Sequence, residues 1–271
     1  MTRLIIDLWP QSFRDNYGGD WPEHYCCFDV ETMGLEQGID LPFEIGHCLV
    51  RERQIVDRTH ILIDWTRDPG FSAAWIEARM ETRGKELAIE GLGRITVKRL
   101  RRDGLAPDKA GAFLADFFGA LREREIPLVA HNGYAFDEPV MKDLFERVGQ
   151  PWPDLGPNGL IDTAMIELGN MLLAKGQPKI PMPGDSLRAY FTRMRRYKGQ
   201  AKHNLSDHCR QKYNLPGRPD EYHHAEHDAV VLHHLMEAWR PGIQAVPESR
   251  LTPEKVLHVP TPVRRRRQRN R

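Results

Sequence analysis

Three short stretches of this 271-residue sequence concentrate acidic and histidine side chains that could do chemistry. The first stretch, DVET, places Asp29 and Glu31 two residues apart. On a β-strand both carboxylates would project from the same face, roughly 7 Å apart along the chain. Carboxylates in an apolar strand repel each other, and a divalent cation that prefers oxygen ligands relieves that repulsion. The alternative is an edge strand with a solvated acidic face.

The second stretch, HNGYAFD, follows an apolar run that is typical of a buried strand. The strand ends at His131 and Asn132, the chain turns at Gly133, and Asp137 stands at the head of a predicted helix. Aspartate is common as a helix N-cap, and a capping position would also place this carboxylate beside the end of the sheet. His131 and Asn132 are interpreted first as hydrogen-bonding supports of the turn.

The third stretch, HHAEHDA, covers residues 223–229 and opens a helix. Asp228 shares the inward face of that helix with Val231, Leu232 and Leu235, so its carboxylate is predicted to face the core. A core-facing carboxylate needs a cationic partner or a metal ion. A capping or paired helix carboxylate is the alternative.

The elements that position these residues follow from the patterns of apolar residues. Three β-rich runs with short polar connections, at 24–32, 43–50 and 54–64, predict an antiparallel meander. Helices and strands then alternate between residues 107 and 240. This order predicts an α/β fold with a mixed sheet. Ligand sites in such sheets gather at strand ends, where the acidic residues fall.

The bulk composition is that of a globular protein. The sequence is 40% hydrophobic and 28% charged, which suffices for a sizeable core. No apolar run approaches the roughly 18 residues of a membrane helix, so we expect a soluble, cytoplasmic protein without a membrane partner. The four cysteines form no CxxC pair, which argues against a zinc-thiolate site.

Basic residues concentrate near the C-terminus. Without the six arginines of 264–271, 33 of the 39 basic residues remain against 38 acidic ones, so the rest of the chain is mildly acidic. We therefore predict an N-terminal extension at 1–23, one domain at 24–240 and a Pro/Arg-rich tail at 241–271. The segment 187–202 interleaves arginines with aromatic residues, as single-strand binding requires. The alternative is a solvated helix face with its aromatic residues in the core.

Together the three stretches resemble, in order and approximate spacing, the motifs of DnaQ-like 3′→5′ exonucleases of the DEDDh type. The resemblance covers roughly residues 25–240. VAHNGYAFDEPV and HHAEHDAVVL are most similar in form to the three-prime repair exonuclease branch. The resemblance implies a ribonuclease H-like fold, with a central mixed five-stranded sheet flanked by helices. Three antiparallel strands would form the meander, and two parallel strands would complete the sheet.

The resemblance also implies a site. Two Mg²⁺ or Mn²⁺ ions would be held by the four acids, and residues after the first motif would hold the 3′-terminal nucleotide. The implied metal ligands are Asp29, Glu31, Asp137 and Asp228, and the implied substrate contacts are Val30, Thr32 and Leu35, to which we add Asn132.

The resemblance also implies that a histidine is the general base, and two neighbouring histidines could take this role. Continuous helical geometry favours His224, four residues before Asp228, whereas His223 would be displaced by about 140°. The family pattern His-x-Ala-x-x-Asp selects His223 instead. Both views agree if the helix begins near Ala225 and leaves His223 in the preceding loop, so we predict His223 as the general base.

The expected function is hydrolysis of phosphodiester bonds at the free 3′ end of a nucleic acid, with release of nucleoside 5′-monophosphates. Single-stranded DNA is the favoured substrate. Two alternatives stay open at this point: an exoribonuclease that acts on short RNA, and a catalytically silent nuclease-fold module that binds nucleic acid or a protein.

Overall fold

The structure is a computed structural model that describes residues 4–15, 21–34, 36, 38–87, 95–200, 205–217 and 223–240. Leu35 and the tail predicted for 241–271 lie outside the described residues. Within the described part of the chain, no helix is both long and apolar enough to cross a membrane.

A five-stranded mixed sheet forms the centre of the molecule. The first three strands pair antiparallel, and two short strands extend the sheet parallel to the first. The order across the sheet is therefore third, second, first, fourth, fifth, which confirms the predicted meander plus two parallel strands. The strands are β1 Tyr25–Thr32, β2 Pro42–Arg51, β3 Gln54–Leu62, β4 Leu128–Ala130 and β5 Leu160–Asp162.

Helices flank the sheet and contribute apolar side chains to a single core cluster. They are α1 Gln11–Arg14, α2 Ala73–Leu87, α3 Val97–Asp103, α4 Pro107–Glu123, α5 Asp137–Arg147, α6 Thr163–Ala174, α7 Leu187–Met194, α8 Arg210–Tyr213 and α9 Ala225–Trp239. Shorter helical turns occur at Ile5–Leu8, Trp65–Arg67, Arg195–Gln200 and Leu205–Cys209.

Several helix starts follow from local chemistry. Pro107 occupies the first turn of α4, where its missing N–H costs nothing. The Asp162 carboxylate accepts hydrogen bonds from the backbone N–H groups of Ala164 and Met165, so it caps α6 directly after β5. The Ser186 hydroxyl caps α7 in the same way.

Helix α9 lies across β1 and β2 and buries an apolar face on them. Its first turn passes close to Gly46 on β2, which pairs with Asp29 of β1. A Cβ at this glycine would overlap the backbone of Ala225 and Glu226. Glycine at this position therefore lets the helix start lie against the sheet, beside the acidic residues of β1.

Part of the predicted N-terminal extension packs on the same core. Trp9 and Phe13 are buried, and their rings contact Tyr190 at centroid distances of 5.6 Å each. The backbone N–H of Ile5 donates to Asn170 Oδ1 at 2.8 Å. Residues 4–15 thus contribute to the core, while the division at residues 23 and 240 stays a prediction.

Candidate active site

Polar residues gather where the parallel strands β1, β4 and β5 end. The carboxyl ends of parallel strands meet at one edge of a sheet, which is where ligand sites form in α/β proteins. Asp29 and Glu31 lie near the end of β1, Asn132 follows β4, and Asp162 ends β5. Asp137, at the start of α5, and Asp228, in the first turn of α9, approach the same edge.

The four predicted acids lie together in one cluster. Asp29 is half-buried, and desolvation raises the pKa of its carboxyl well above the usual range. The negative charges of Asp228, Asp137 and Glu31 raise this pKa further. Burial likewise raises the pKa values of Asp137 and Asp228. Mutual repulsion among clustered carboxyls marks a candidate functional site, and a bound cation would relieve it.

His223 joins this cluster from the loop before α9. Its Nδ1 lies 3.6 Å from Glu31 Oε1, and its backbone N–H donates to Asp228 Oδ2 at 3.1 Å. Burial raises the pKa of Glu31 to about 6, although the neighbouring imidazole lowers it in part. Potential ligand atoms of Glu31, His223 and Asp228 all lie within 4.8 Å of one another.

The two neighbouring histidines face different carboxylates. Helix α9 begins at Ala225, His224 is its N-cap residue, and His223 lies in the preceding turn with a φ of 60°. His224 Nδ1 lies 3.8 Å from Oε1 of Glu44, a buried residue that pairs with Glu31 across β1 and β2. Helix α9 therefore starts at Ala225 and leaves His223 in the preceding turn, as the His-x-Ala-x-x-Asp pattern predicts.

Asp137 occupies the first position of α5, and Phe136 is the N-cap residue. The capping role considered for Asp137 is therefore wrong. Its buried carboxyl receives backbone hydrogen bonds from its own residue and from Val30, which lower its pKa in part. The contribution of the Val30 N–H to this pKa places the Asp137 carboxyl beside β1.

The predicted substrate contacts occupy several environments. Val30 and Thr32 are buried, with 3% and 2% of their surfaces exposed, so their side chains offer little area to a nucleotide. Asn132 has a φ of 70°, donates its backbone N–H to Asp162 Oδ1 at 3.0 Å and accepts a hydrogen bond from Lys198 Nζ at 2.9 Å. Leu35 lies outside the described residues.

The sequence allows a cationic partner for Asp228 but does not identify it. Arg210, in α8, is 3% exposed, and its guanidinium forms an ion pair with the carboxylate of Asp228. The same guanidinium donates to the carbonyl oxygen of Pro216 at 3.0 Å. The segment NLSDHCRQKYNL predicts a helix but gives no signal that this arginine points inward.

A cavity of about 270 Å³ lies on the other side of the α9 start, between this helix and β3. Among its lining residues, Glu226 forms ion pairs with Arg58 at 3.5 Å and with His60 at 3.8 Å. The lining residues are Glu44, Arg58, His60, Arg99, His224, Glu226, His227 and Val230.

The residues of the acidic cluster fit divalent cations. Mg²⁺ and Mn²⁺ prefer carboxylate oxygens, and the four acids supply them from three elements of the fold. Among the described residues, Glu31, His223 and Asp228 form the one group of three or more close metal-ligand side chains. The donor chemistry and the raised carboxyl pKa values both agree with this kind of ion.

Sequence comparison with known proteins gives a distant partial match. No protein-family model matches the sequence. The DNA polymerase III PolC-type protein of Listeria welshimeri is 28% identical over 173 residues, which are 63% of this chain and 10% of that protein.

Solved structures of exonuclease I have the same arrangement of sheet and helices. The complex of E. coli exonuclease I with a dT13 oligonucleotide is 15% identical with a TM-score of 0.51, over 78% of this chain and 40% of that one. A product-bound exonuclease I is 13% identical with a TM-score of 0.53, over 80% and 43%. The present chain therefore spans less than half of exonuclease I. The fold is ribonuclease H-like, as the sequence predicts.

Proposed function

We propose that this protein is a metal-dependent 3′→5′ exonuclease of the DEDDh type. The convergence of four acids and His223 at the carboxyl end of β1 carries the proposal. The similarity of the fold to exonuclease I supports it. The forms of the second and third motifs support placement near the three-prime repair branch, with 24–240 as the catalytic domain.

The acids provide position and countercharge. Asp29, Glu31, Asp137 and Asp228 would hold two Mg²⁺ or Mn²⁺ ions, which activate a water molecule and stabilise the departing 3′ oxygen when bound. The Asp137 carboxyl lies beside the Val30 N–H, next to the acids of β1. The bond from the His223 N–H to Asp228 holds the loop before α9 against this helix. The ligands are thus pre-organised by backbone contacts.

His223 accepts the proton of the attacking water. Its imidazole reaches the cluster from a loop, and its Nδ1 lies beside Glu31, whose carboxylate orients the ring and stabilises the imidazolium once the proton is accepted. Histidine is the side chain that most often acts as a general base. His224, which faces Glu44, lies outside this step.

The proposed substrate is a single-stranded nucleic acid with a free 3′ end, and DNA is favoured. Support comes from exonuclease I, which is similar in fold and binds a dT13 oligonucleotide. Val30, Thr32 and Leu35 are proposed to flank the terminal nucleotide, largely through backbone atoms, and Asn132 to contact it from the β4 side. The released product is a nucleoside 5′-monophosphate.

The test incubates a 5′-labelled single-stranded DNA with the protein and Mg²⁺, with and without chelator. We expect a ladder that shortens from the 3′ end only when metal is present. The Asp137→Asn variant, which keeps the shape of the side chain and removes its charge, serves as the inactive control. No cleavage with retained binding would instead identify a silent binding module, and strong preference for RNA of the same sequence would identify an exoribonuclease.

A further inference from the structure

Residues 187–198, which include α7, combine five basic side chains with three aromatic ones. Their sequence suggested two roles at once, phosphate contacts and base stacking. Tyr190 and Phe191 are fully buried and pack against Trp9, so they offer no face to a base. The aromatic residues of α7 therefore serve the core, which removes stacking from this helix.

Two of the arginines are also committed to the fold. Arg188 forms a two-pronged contact with Glu138, at 2.7 and 3.1 Å, and Arg193 forms one with Asp185, at 2.6 and 3.0 Å. Paired bonds of this kind are the strong form of the arginine–carboxylate interaction. A phosphate would have to break them, so neither arginine is available as a phosphate ligand.

Arg195, Arg196 and Lys198 differ from these two arginines. All three are exposed, on the helical turn that follows α7. Within the part of the chain that the structure describes, neither Arg195 nor Arg196 forms an ion pair. Lys198 donates to the neutral Asn132 Oδ1 at 2.9 Å, and among the described residues no carboxylate forms an ion pair with its ammonium group. These three residues define what we call the 195–198 surface.

The direction of α7 places the 195–198 surface at the edge of the sheet that holds the acids. The helix begins beside the amino end of β5, where the backbone N–H of Leu187 donates to Asn158 Oδ1 at 2.9 Å. It ends beside the carboxyl end, where Lys198 reaches Asn132 after β4. Adjacent strands are about 4.8 Å apart, so Asn132 lies roughly one strand spacing from the end of β1.

We propose that the 195–198 surface binds backbone phosphates of the single strand on the 5′ side of its terminal nucleotide. The inference rests on the proposed function and adds the path of the substrate: from the acids at β1, across the ends of β4 and β5, to the turn after α7. Exposed guanidinium and ammonium groups contact phosphates without reading the base or the sugar. The bound chemistry is therefore the phosphodiester backbone, shared by DNA and RNA.

The charge distribution of the site makes such a surface useful. Clustered carboxylates repel a polyanion, and the rest of the chain without its terminal arginines is mildly acidic. Exposed cations beside the cluster offset that repulsion for the phosphates on the 5′ side of the terminal nucleotide. The contribution depends on the length of the strand, because a very short substrate ends before it reaches the turn.

The experiment compares the double variant Arg195→Gln/Arg196→Gln with Lys109→Gln/Arg124→Gln. The control removes two exposed cations outside the 195–198 surface: Lys109 in the first turn of α4, which lies 3.8 Å from Asp108, and Arg124, the residue after this helix. Binding of a 5′-fluorescein dodecathymidylate and of a labelled dinucleotide is followed by anisotropy in chelator, over a series of salt concentrations. An oligoribonucleotide of the same length is measured in parallel.

We expect the Arg195/Arg196 variant to bind the dodecanucleotide about tenfold more weakly and the dinucleotide unchanged. The slope of log affinity against log salt should fall by about 1.4, because each lost phosphate contact on a single strand contributes about 0.7. DNA and RNA should lose affinity equally. Lys198→Gln should also weaken binding of the long strand, whereas Lys198→Arg should preserve it.

Equal affinity of the Arg195/Arg196 variant and the control for the dodecanucleotide would overturn the inference. Loss of affinity for the dinucleotide would overturn it as well, since that result places these arginines at the terminal nucleotide. Neither outcome affects the proposed function, which fails separately if the wild-type protein does not shorten DNA in Mg²⁺. Unchanged thermal unfolding of all variants verifies that the exposed substitutions leave the fold intact.

Discussion

His223 and His224 are adjacent in the chain but differ in their carboxylate neighbours. The positive φ of His223 turns its side chain toward Glu31, whereas His224, at the N-cap position of α9, faces Glu44. Glu31 and Glu44 are themselves partners across two strands, so each histidine meets one member of the pair. In the proposed reaction the proton acceptor must reach a water among the four acids, and His223 alone of the two histidines lies within that cluster.

Substitution of each histidine by alanine separates their roles. We expect His223→Ala to lower kcat by about 10²- to 10⁴-fold, the usual contribution of a general base. His224→Ala should change kcat by less than about tenfold. Single-turnover rates with single-stranded DNA check both values. The assignment is wrong if His224→Ala is the inactive variant and His223→Ala retains most of the activity.

Arg210 gives Asp228 a buried cationic partner, and the pair is expected to matter for folding. Removal of one member of a buried ion pair leaves an uncompensated charge and costs about 3 to 5 kcal/mol. We predict that Arg210→Met lowers the free energy of unfolding by about 3 kcal/mol, as measured with urea. Arg196→Gln, an exposed substitution, should change it by less than about 0.5 kcal/mol. Equal stabilities of the two variants would contradict this account of Arg210.

At the scale of elements, the position of α9 on the sheet depends on a single small residue. Gly46 allows the first turn of the helix to lie against β2, and this turn carries Asp228 while the loop before it carries His223. Any side chain at this position would push the helix start away from Asp29, which is the strand partner of the glycine.

We predict that Gly46→Ala destabilises the protein by about 1 to 3 kcal/mol, the range for overpacking of a tight contact. It should also reduce exonuclease activity, because the ligands of α9 move relative to those of β1. Gly119→Ala is the matched control: this glycine lies within α4, where a Cβ would meet nothing within 4 Å. The control should be neutral or stabilising by up to about 1 kcal/mol. Thermal unfolding gives the stability of both variants, and cleavage rates give their activity. Equal stability and equal activity of the two variants would contradict the role of Gly46.

Most elements that carry the site are readable from local patterns. Alternating and β-branched residues predict β1 to β3, and Ala225 marks the start of α9 as the motif requires. The sequence does not predict helix α3. Its residues VKRLRRD bury only Val97 and Leu100, and the N-cap Thr96 is a weak signal in isolation. Local sequence carries little information about a helix that tertiary contacts hold in place.

Contacts between distant residues could not be predicted. The pairing of Arg210 with Asp228, the facing of His224 toward Glu44 and the commitment of two α7 arginines to carboxylates all join separate elements. The resemblance of the three motifs to those of DEDDh exonucleases did indicate which acids meet. It did not indicate which cations accompany those acids.

At the scale of the whole molecule, the acidic cluster links stability to pH. Folding raises the pKa of Glu31 from 4.5 to about 6 and raises those of the three aspartates as well. A carboxyl with a raised pKa stabilises the folded state while it is protonated, and this contribution is lost as the pH rises through the folded pKa. For Glu31 the loss falls between about pH 4.5 and pH 6.

Bound metal should reverse this loss, because the ionised carboxylates are its ligands. We therefore predict that the increase in Tm caused by Mg²⁺ or Mn²⁺ is small near pH 5 and grows toward pH 8. Differential scanning fluorimetry with metal and with chelator measures this increase. Asp137→Asn should show a smaller increase at every pH, since one ligand is lost. An increase that does not depend on pH would show that the metal binds elsewhere.

The identity and order of the released products test the central claim most directly. A single-stranded DNA labelled in its 3′-terminal nucleotide is incubated with the protein in Mg²⁺, and the first product is resolved by chromatography. The account predicts a labelled nucleoside 5′-monophosphate as the first product, absent in chelator and absent with Asp137→Asn. A nucleoside 3′-phosphate, an internal fragment or release that persists in chelator would contradict it.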